Sequence, residues 1–344
     1  MTHQTILHVG PHKTGSTALQ IAFRDGREAL AAHGIHYART GLRGYAHFEL
    51  VEWARGRHDL DPADLRAEGA LAPTLLVSCE NIVHLDEAGH ARVREALPDD
   101  RPVRVVYYLR RLVDLWASHW EELVKHGLSL SLPEHIARQT SLRASRNNRI
   151  DQVEQVRVLQ RVFGNGAVEV IGFDAARAGE GGLVDDFART VLGHDPAGLA
   201  LPSHRVNARE PHARMALVRL VNRIHHDLTG RIPTQELRLA VFRALDADGV
   251  PFRGRFEALV EARSVDDVLQ VTDVVMARQR RTARLLEPMM HDAQAATEAY
   301  LRADRRAVRL FEFPVTGEAA LLDEIVAFYR ALPEDARRSV GGRS

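Results

Sequence analysis

The segment HVGPHKTGST, residues 8–17, decides how this chain is read. The apolar residues Ile6, Leu7 and Val9 run into it, and the amphipathic stretch Ala18-Leu19-Gln20-Ile21-Ala22-Phe23 follows. A strand that enters a glycine turn and leaves as a helix is the outline of a phosphate cradle, in which backbone N–H groups at the helix N-terminus face the anion. The common nucleotide-binding pattern G-x-x-x-x-G-K-[ST] puts its lysine directly after the second glycine. Here Gly10 and Gly15 have that separation, but Ser16 stands in the lysine position and Lys13 lies inside the loop. Lysine is otherwise almost unused: of 46 basic residues only Lys13 and Lys125 are lysines, and the other 44 are arginines. Lysine carries a compact ammonium and arginine a planar fork, so the exception in the glycine loop points to a small cation beside a reacting phosphate.

Outward from the loop, further short apolar runs have the composition of strands buried on both faces: Thr74–Cys79 (TLLVSC), Val103–Leu109 (VRVVYYL) and Val168–Phe173 (VEVIGF), after a first strand at Thr5–Val9. Helical periodicity separates them, over Gly15 to about His33, Tyr45–Arg57, Asp86 to about Ala96, Val113–Val124, Asp151–Phe163 and Leu183–Leu192. Alternating strands and helices predict an α/β fold, a central parallel sheet flanked by helices. Beyond Pro202 strand signals fade, and Glu210–Leu228, Thr234–Leu245 and the stretch Val265–Leu310 are expected to be helical. The predicted organisation is thus an α/β core over residues 1–204 and a mainly helical portion over 205–344, packed on the core.

Composition bounds the function. The 344 residues are 45% apolar and 27% charged, with Lys+Arg and Asp+Glu both 46. A net charge of zero gives no global field for nucleic acid or an anionic membrane, so any anion site is local and no nucleic-acid partner is expected. The single cysteine, Cys79, excludes an intrachain disulfide and a multi-cysteine metal site. No apolar run reaches the length of a membrane span and no signal-peptide pattern precedes the first strand, so a cytoplasmic location is expected. Oligomeric state is not legible.

In an open parallel sheet, ligands bind beyond the carboxyl ends of the strands. The residues there are Gly10–Thr17, then Glu80 and Asn81, then Arg110 and Arg111, then Asp174. The loop GPHKTGSTALQ resembles the 5′-phosphosulfate-binding loop of sulfotransferases that use 3′-phosphoadenosine 5′-phosphosulfate (PAPS). In that family the loop lysine stands two before a glycine followed by a hydroxyl pair, as Lys13, Gly15, Ser16 and Thr17 do. A second family element, a strand ending in arginine with a serine eight positions later, is matched by Arg110 and Ser118 in VVYYLRRLVDLWASHW. VFGNGAVEVIGFD and the following GGLVDDFARTVLG are loosely similar to the late strand–helix unit of bacterial members. The resemblance covers about residues 5–200.

The resemblance implies a P-loop-like sulfotransferase fold and an enzyme that moves a sulfuryl group from PAPS to a hydroxyl or amine of a small-molecule or carbohydrate acceptor, releasing 3′,5′-ADP. PAPS has no β,γ-phosphate pair for Mg²⁺ to bridge, so no metal is expected. By resemblance, Lys13 stabilises the leaving phosphate, Thr14, Gly15, Ser16 and Thr17 hold the phosphosulfate, and Arg110 and Ser118 grip the 3′-phosphate; Arg205, in SHRVNARE beyond the span of the resemblance, is a further candidate to close over the nucleotide. For the proton acceptor Glu80 is the first candidate and His47 the second; His12 and His84 are further ones. Two other readings stand beside this one: a kinase using ATP and Mg²⁺, which the displaced lysine disfavours, and a non-catalytic nucleotide-binding protein.

Overall fold

Residues Gln4–His8 form β1, Ile35–Tyr37 β2, Thr74–Ser78 β3, Val103–Leu109 β4 and Val168–Gly172 β5 in the computed structural model, which describes residues 3–141, 151–202, 211–247, 250–269, 273–302, 306–314 and 316–337. These five strands make one parallel sheet in the order β2-β3-β1-β4-β5. Helices cover it, so the central strands are apolar on both faces: Ile6, Leu7, Leu75, Leu76, Val77, Val105, Val106, Tyr107 and Tyr108 are all fully buried. After β1 the chain builds β2 and β3 on one side, then crosses to β4 and β5 on the other. The strand order reverses at β1, and in open sheets of this kind ligands bind beyond the carboxyl ends of the strands at such a point.

Four of these strands are the ones expected. The fifth, β2, has three residues and no periodicity long enough to read. The first expected helix is two, Ser16–Asp25 (α1) and Arg27–Ala32, with Gly26 between them. The expectation of continuous helix over Val265–Leu310 is corrected: Val265–Leu269 (β6) and Arg306–Leu310 (β7) form an antiparallel pair. Asp266 and Asp267 disfavour a strand locally. The pairing itself sets Asp266 opposite Arg309, with Arg309 Nε 3.9 Å from Asp266 Oδ1, a cross-strand ion pair that exists only once the partner strand arrives.

By internal contacts the chain divides into two compact units, each drawn from three separate stretches of sequence. One comprises Met1–Leu112, Leu142–Asn207 and Asp273–Ala303; the other comprises Val113–Ser141, Ala208–Thr272 and Asp304–Ser344. The first holds the parallel sheet. Its residues Met290 and His291 lie along β5, where His291 N donates to Val170 O at 2.8 Å and occupies part of an otherwise open strand edge. Among its described residues, the second unit's regular structure is helical apart from β6 and β7. Its core gathers Val124, Leu217, Val221, Leu237, Val241, Phe256, Ile325 and Tyr329. Within that core the buried Asn222 amide donates to the Val124 and Leu128 carbonyls at 2.8 and 3.1 Å, so its polar group is answered by backbone.

Candidate functional site

The loop between β1 and α1 keeps its tie to the sheet almost to the first glycine. Val9 N donates to Val106 O, and Tyr108 N to Gly10 O at 2.7 Å, so β4 guides the chain to the turn. Gly10 then takes φ 83°, in the left-handed region. A Cβ there would lie 2.8 Å from Glu80 Cβ and 3.3 Å from Ser16 Oγ, so only glycine lets the loop pass the end of β3. Gly15, the N-cap of α1, has φ 72° and supplies no side chain to cap the helix, whose first turn carries no acidic residue. Ala18 N and Leu19 N donate to Gly15 O at 3.0 and 3.3 Å, and the N–H groups of Ser16 and Thr17 ahead of them lie at the positive end of the helix dipole. A cradle of this kind fits a phosphate-type anion.

Inside the loop the Thr14 hydroxyl donates to Pro11 O at 2.5 Å and Ser16 Oγ to the same carbonyl at 3.4 Å. Both hydroxyls therefore shape the turn. Lys13, half-buried, takes φ 67°, a left-handed backbone that a residue with a Cβ rarely adopts. Its carbonyl accepts a hydrogen bond from Arg110 Nη1. Arg110 is 9% exposed and stands 5.0 Å over the Phe173 ring, a stacked cation. The backbone around it is tied as well: Arg110 O accepts from Gln152 Nε2 at 2.9 Å, and Arg111 N donates to Asp174 Oδ2 at 3.1 Å.

Glu80 lies just past β3, in the short 3₁₀ turn Glu80–His84, and is 8% exposed. Register explains its proximity to the loop, because β1 pairs with β3 at His8↔Ser78 and Cys79 N still donates to His8 O. One carboxylate oxygen accepts from Gln20 Nε2 at 2.7 Å. Gln20 belongs to no motif that marks it in the sequence. Its signal is a polar side chain on the buried face of α1, beside the buried Leu19 and Phe23. Next to Glu80, Asn81 Oδ1 is 2.8 Å from His12 Nε2, and the His12 ring stacks on His84 with centroids 5.0 Å apart. Phe173 is the other group that sequence patterns did not single out, since it reads as an ordinary core aromatic.

The expectation that His47 could take a proton is corrected by its surroundings. It is fully buried, its Nε2 lies 3.1 Å from Ala38 O, and Ser78 N donates to its Nδ1 at 3.1 Å. Both ring nitrogens thus serve the backbone between β2 and β3, and burial pushes its pKa down to about 4. Ser118 is half-buried in the helix Leu112–Lys125, in the second compact unit. Arg205 lies outside the described residues. Among the described residues, no group of three or more His, Cys, Asp or Glu is arranged to hold a metal ion, and no helix is long and apolar enough to cross a membrane.

No family model matches the chain, and no curated protein matches it. Among solved structures, it is similar to the crystal structure of a sulfotransferase from Alicyclobacillus acidocaldarius, with 18% identity over 76% of this chain and 97% of that one, at a TM-score of 0.36.

Proposed function

We propose that this protein is a PAPS-dependent sulfotransferase that transfers a sulfuryl group to a hydroxyl or amine of a small-molecule or carbohydrate acceptor. The observation that carries the reading is the loop itself: a lysine in left-handed backbone, set between two left-handed glycines, at a helix N-terminus without a side-chain cap. Bound PAPS would supply a sulfuryl group on a 5′-phosphate leaving group, with a separate 3′-phosphate. The N–H groups of Thr14 to Thr17 hold the phosphosulfate oxygens. The Lys13 ammonium faces the charge that grows on the leaving oxygen, an interaction stronger in the transition state than in the ground state, and so it raises kcat. Arg110 binds the 3′-phosphate. Arginine suits that contact because its fork meets phosphate bidentately. Glu80 accepts the acceptor's proton, and Gln20 holds its carboxylate in orientation.

Thermal unfolding with three ligands tests this reading. At a hundredfold excess over Kd, 3′,5′-ADP without metal is expected to stabilise the protein by about 2.7 kcal/mol. 5′-AMP should give much less, and ATP with Mg²⁺ no more than 5′-AMP. Equal shifts from 3′,5′-ADP and 5′-AMP would mean that the 3′-phosphate is not read. A dominant ATP–Mg²⁺ shift would favour the kinase reading. Glu80→Gln should then remove turnover while leaving the 3′,5′-ADP shift in place; retained turnover would remove Glu80 from proton transfer.

A further inference from the structure

The geometry points to a second role for Arg110: it is the positioning residue that holds Lys13 in its left-handed conformation, so that donor recognition and lysine placement share one guanidinium. The catalytic consequence rests on the sulfuryl-transfer reading above; the conformational part does not.

Lys13 departs from the backbone its Cβ favours, with φ 67°, and a residue in that region persists only where its surroundings hold it. The Arg110 Nη1 group grips the Lys13 carbonyl. A hydrogen bond from a charged donor is roughly twice as strong as a neutral one. The grip is rigid from behind, because Phe173 stacks under the guanidinium at 5.0 Å and Gln152 holds the Arg110 carbonyl at 2.9 Å. Gln152 is itself fixed, accepting from Tyr300 OH at 3.0 Å. The buried end of β4 thus clamps a backbone unit of the loop, 97 residues earlier in the chain. If the Lys13 backbone relaxes to negative φ, the Cα–Cβ direction changes and the ammonium, four carbons out, no longer reaches the same point. A misplacement of about 1 Å at a reacting group can cost on the order of a hundredfold in rate.

A residue that only reads the 3′-phosphate and one that also positions Lys13 differ in a measurable way. Adenosine 5′-phosphosulfate lacks the 3′-phosphate, so it offers a pure reader nothing. With this donor at saturation, Arg110→Met is expected to lower kcat by roughly tenfold to a hundredfold. With PAPS it should lower kcat and also raise KM. A crystal structure of Arg110→Met should find Lys13 at negative φ; Arg110→Gln, too short to reach the Lys13 carbonyl, gives the same readouts if the methionine variant does not fold. Lys13 remaining near its present φ in the variant overturns the proposal, whatever the kinetics. So does unchanged kcat with adenosine 5′-phosphosulfate. If the wild-type protein turns over neither donor, the sulfuryl-transfer reading fails instead, and the φ of Lys13 still decides whether Arg110 holds the loop.

Discussion

Two helices leave the carboxyl edge of the parallel sheet with opposite endings. The helix Glu87–Ala96, which follows β3, begins at Asp86, whose carboxylate accepts from Gly89 N at 2.8 Å. The helices at Gln152–Phe163 and Gln235–Asp246 are closed in the same way by Asp151 and Thr234. Helix α1, which follows β1, begins at a left-handed glycine with no capping side chain and no acid in its first turn. A helix end answered by its own side chain is complete as folded, whereas an end left to glycines and a lysine keeps its N–H groups and positive dipole for an anion. On the proposed reading, the difference separates a stabilising device from a binding device built on the same backbone geometry.

The strongest way to break this contrast is to remove the cation. Lys13→Ala is expected to lower transfer from PAPS by roughly 10²–10³-fold, as loss of one preorganised charge-stabilising donor does, with the unfolding midpoint little changed. Steady-state turnover decides it, and wild-type rates in the variant would take the lysine out of the chemistry. Next comes the glycine that lets the loop pass. Gly10→Ala combines φ 83° with a Cβ 2.8 Å from Glu80 Cβ, and about 2–3 kcal/mol of stability should be lost in urea unfolding.

A fully partnered polar group sharpens the comparison through pH. Folded His47 has its pKa lowered from 6.5 to about 4 by burial, so above pH 6.5 it is neutral in both states and adds no pH dependence. As pH falls below 6.5 the unfolded chain takes up the proton and the native state does not, so stability drops until the folded pKa is reached. Between pH 6.5 and about 5 that amounts to about 2 kcal/mol, and His47→Gln should lose that much less than wild type over the same interval. Parallel slopes for the two proteins would contradict a buried neutral imidazole. The smallest effect is the control on the completed end: Asp86→Ala should cost about 1 kcal/mol and leave the stabilisation by 3′,5′-ADP untouched.

The legible parts of the molecule were those whose signals are local. Gly10, Lys13 and Gly15 could be read because turn residues announce a turn, and β3 and β4 because continuous apolar runs announce buried strands. β6 and β7 could not, since each gains its strand identity from a partner 45 residues away at the Val265↔Leu310 pair and 37 away at Leu269↔Arg306. His47 misled for a related reason. A histidine named as a candidate base by residue type looks available until the fold sets Ser78 N and Ala38 O against its ring.

The residue order by itself determined the strand, glycine turn and helix at residues 4–25 and the parallel sheet around them, because periodicity, backbone freedom and apolar runs are properties of neighbours in sequence. Only the tertiary structure decided what meets that junction: Gln20 on Glu80 across 60 residues, Arg110 on the Lys13 carbonyl across 97, and Phe173 beneath the guanidinium. Those contacts depend on strand order and register, which arise from packing the whole sheet and are written in no single segment.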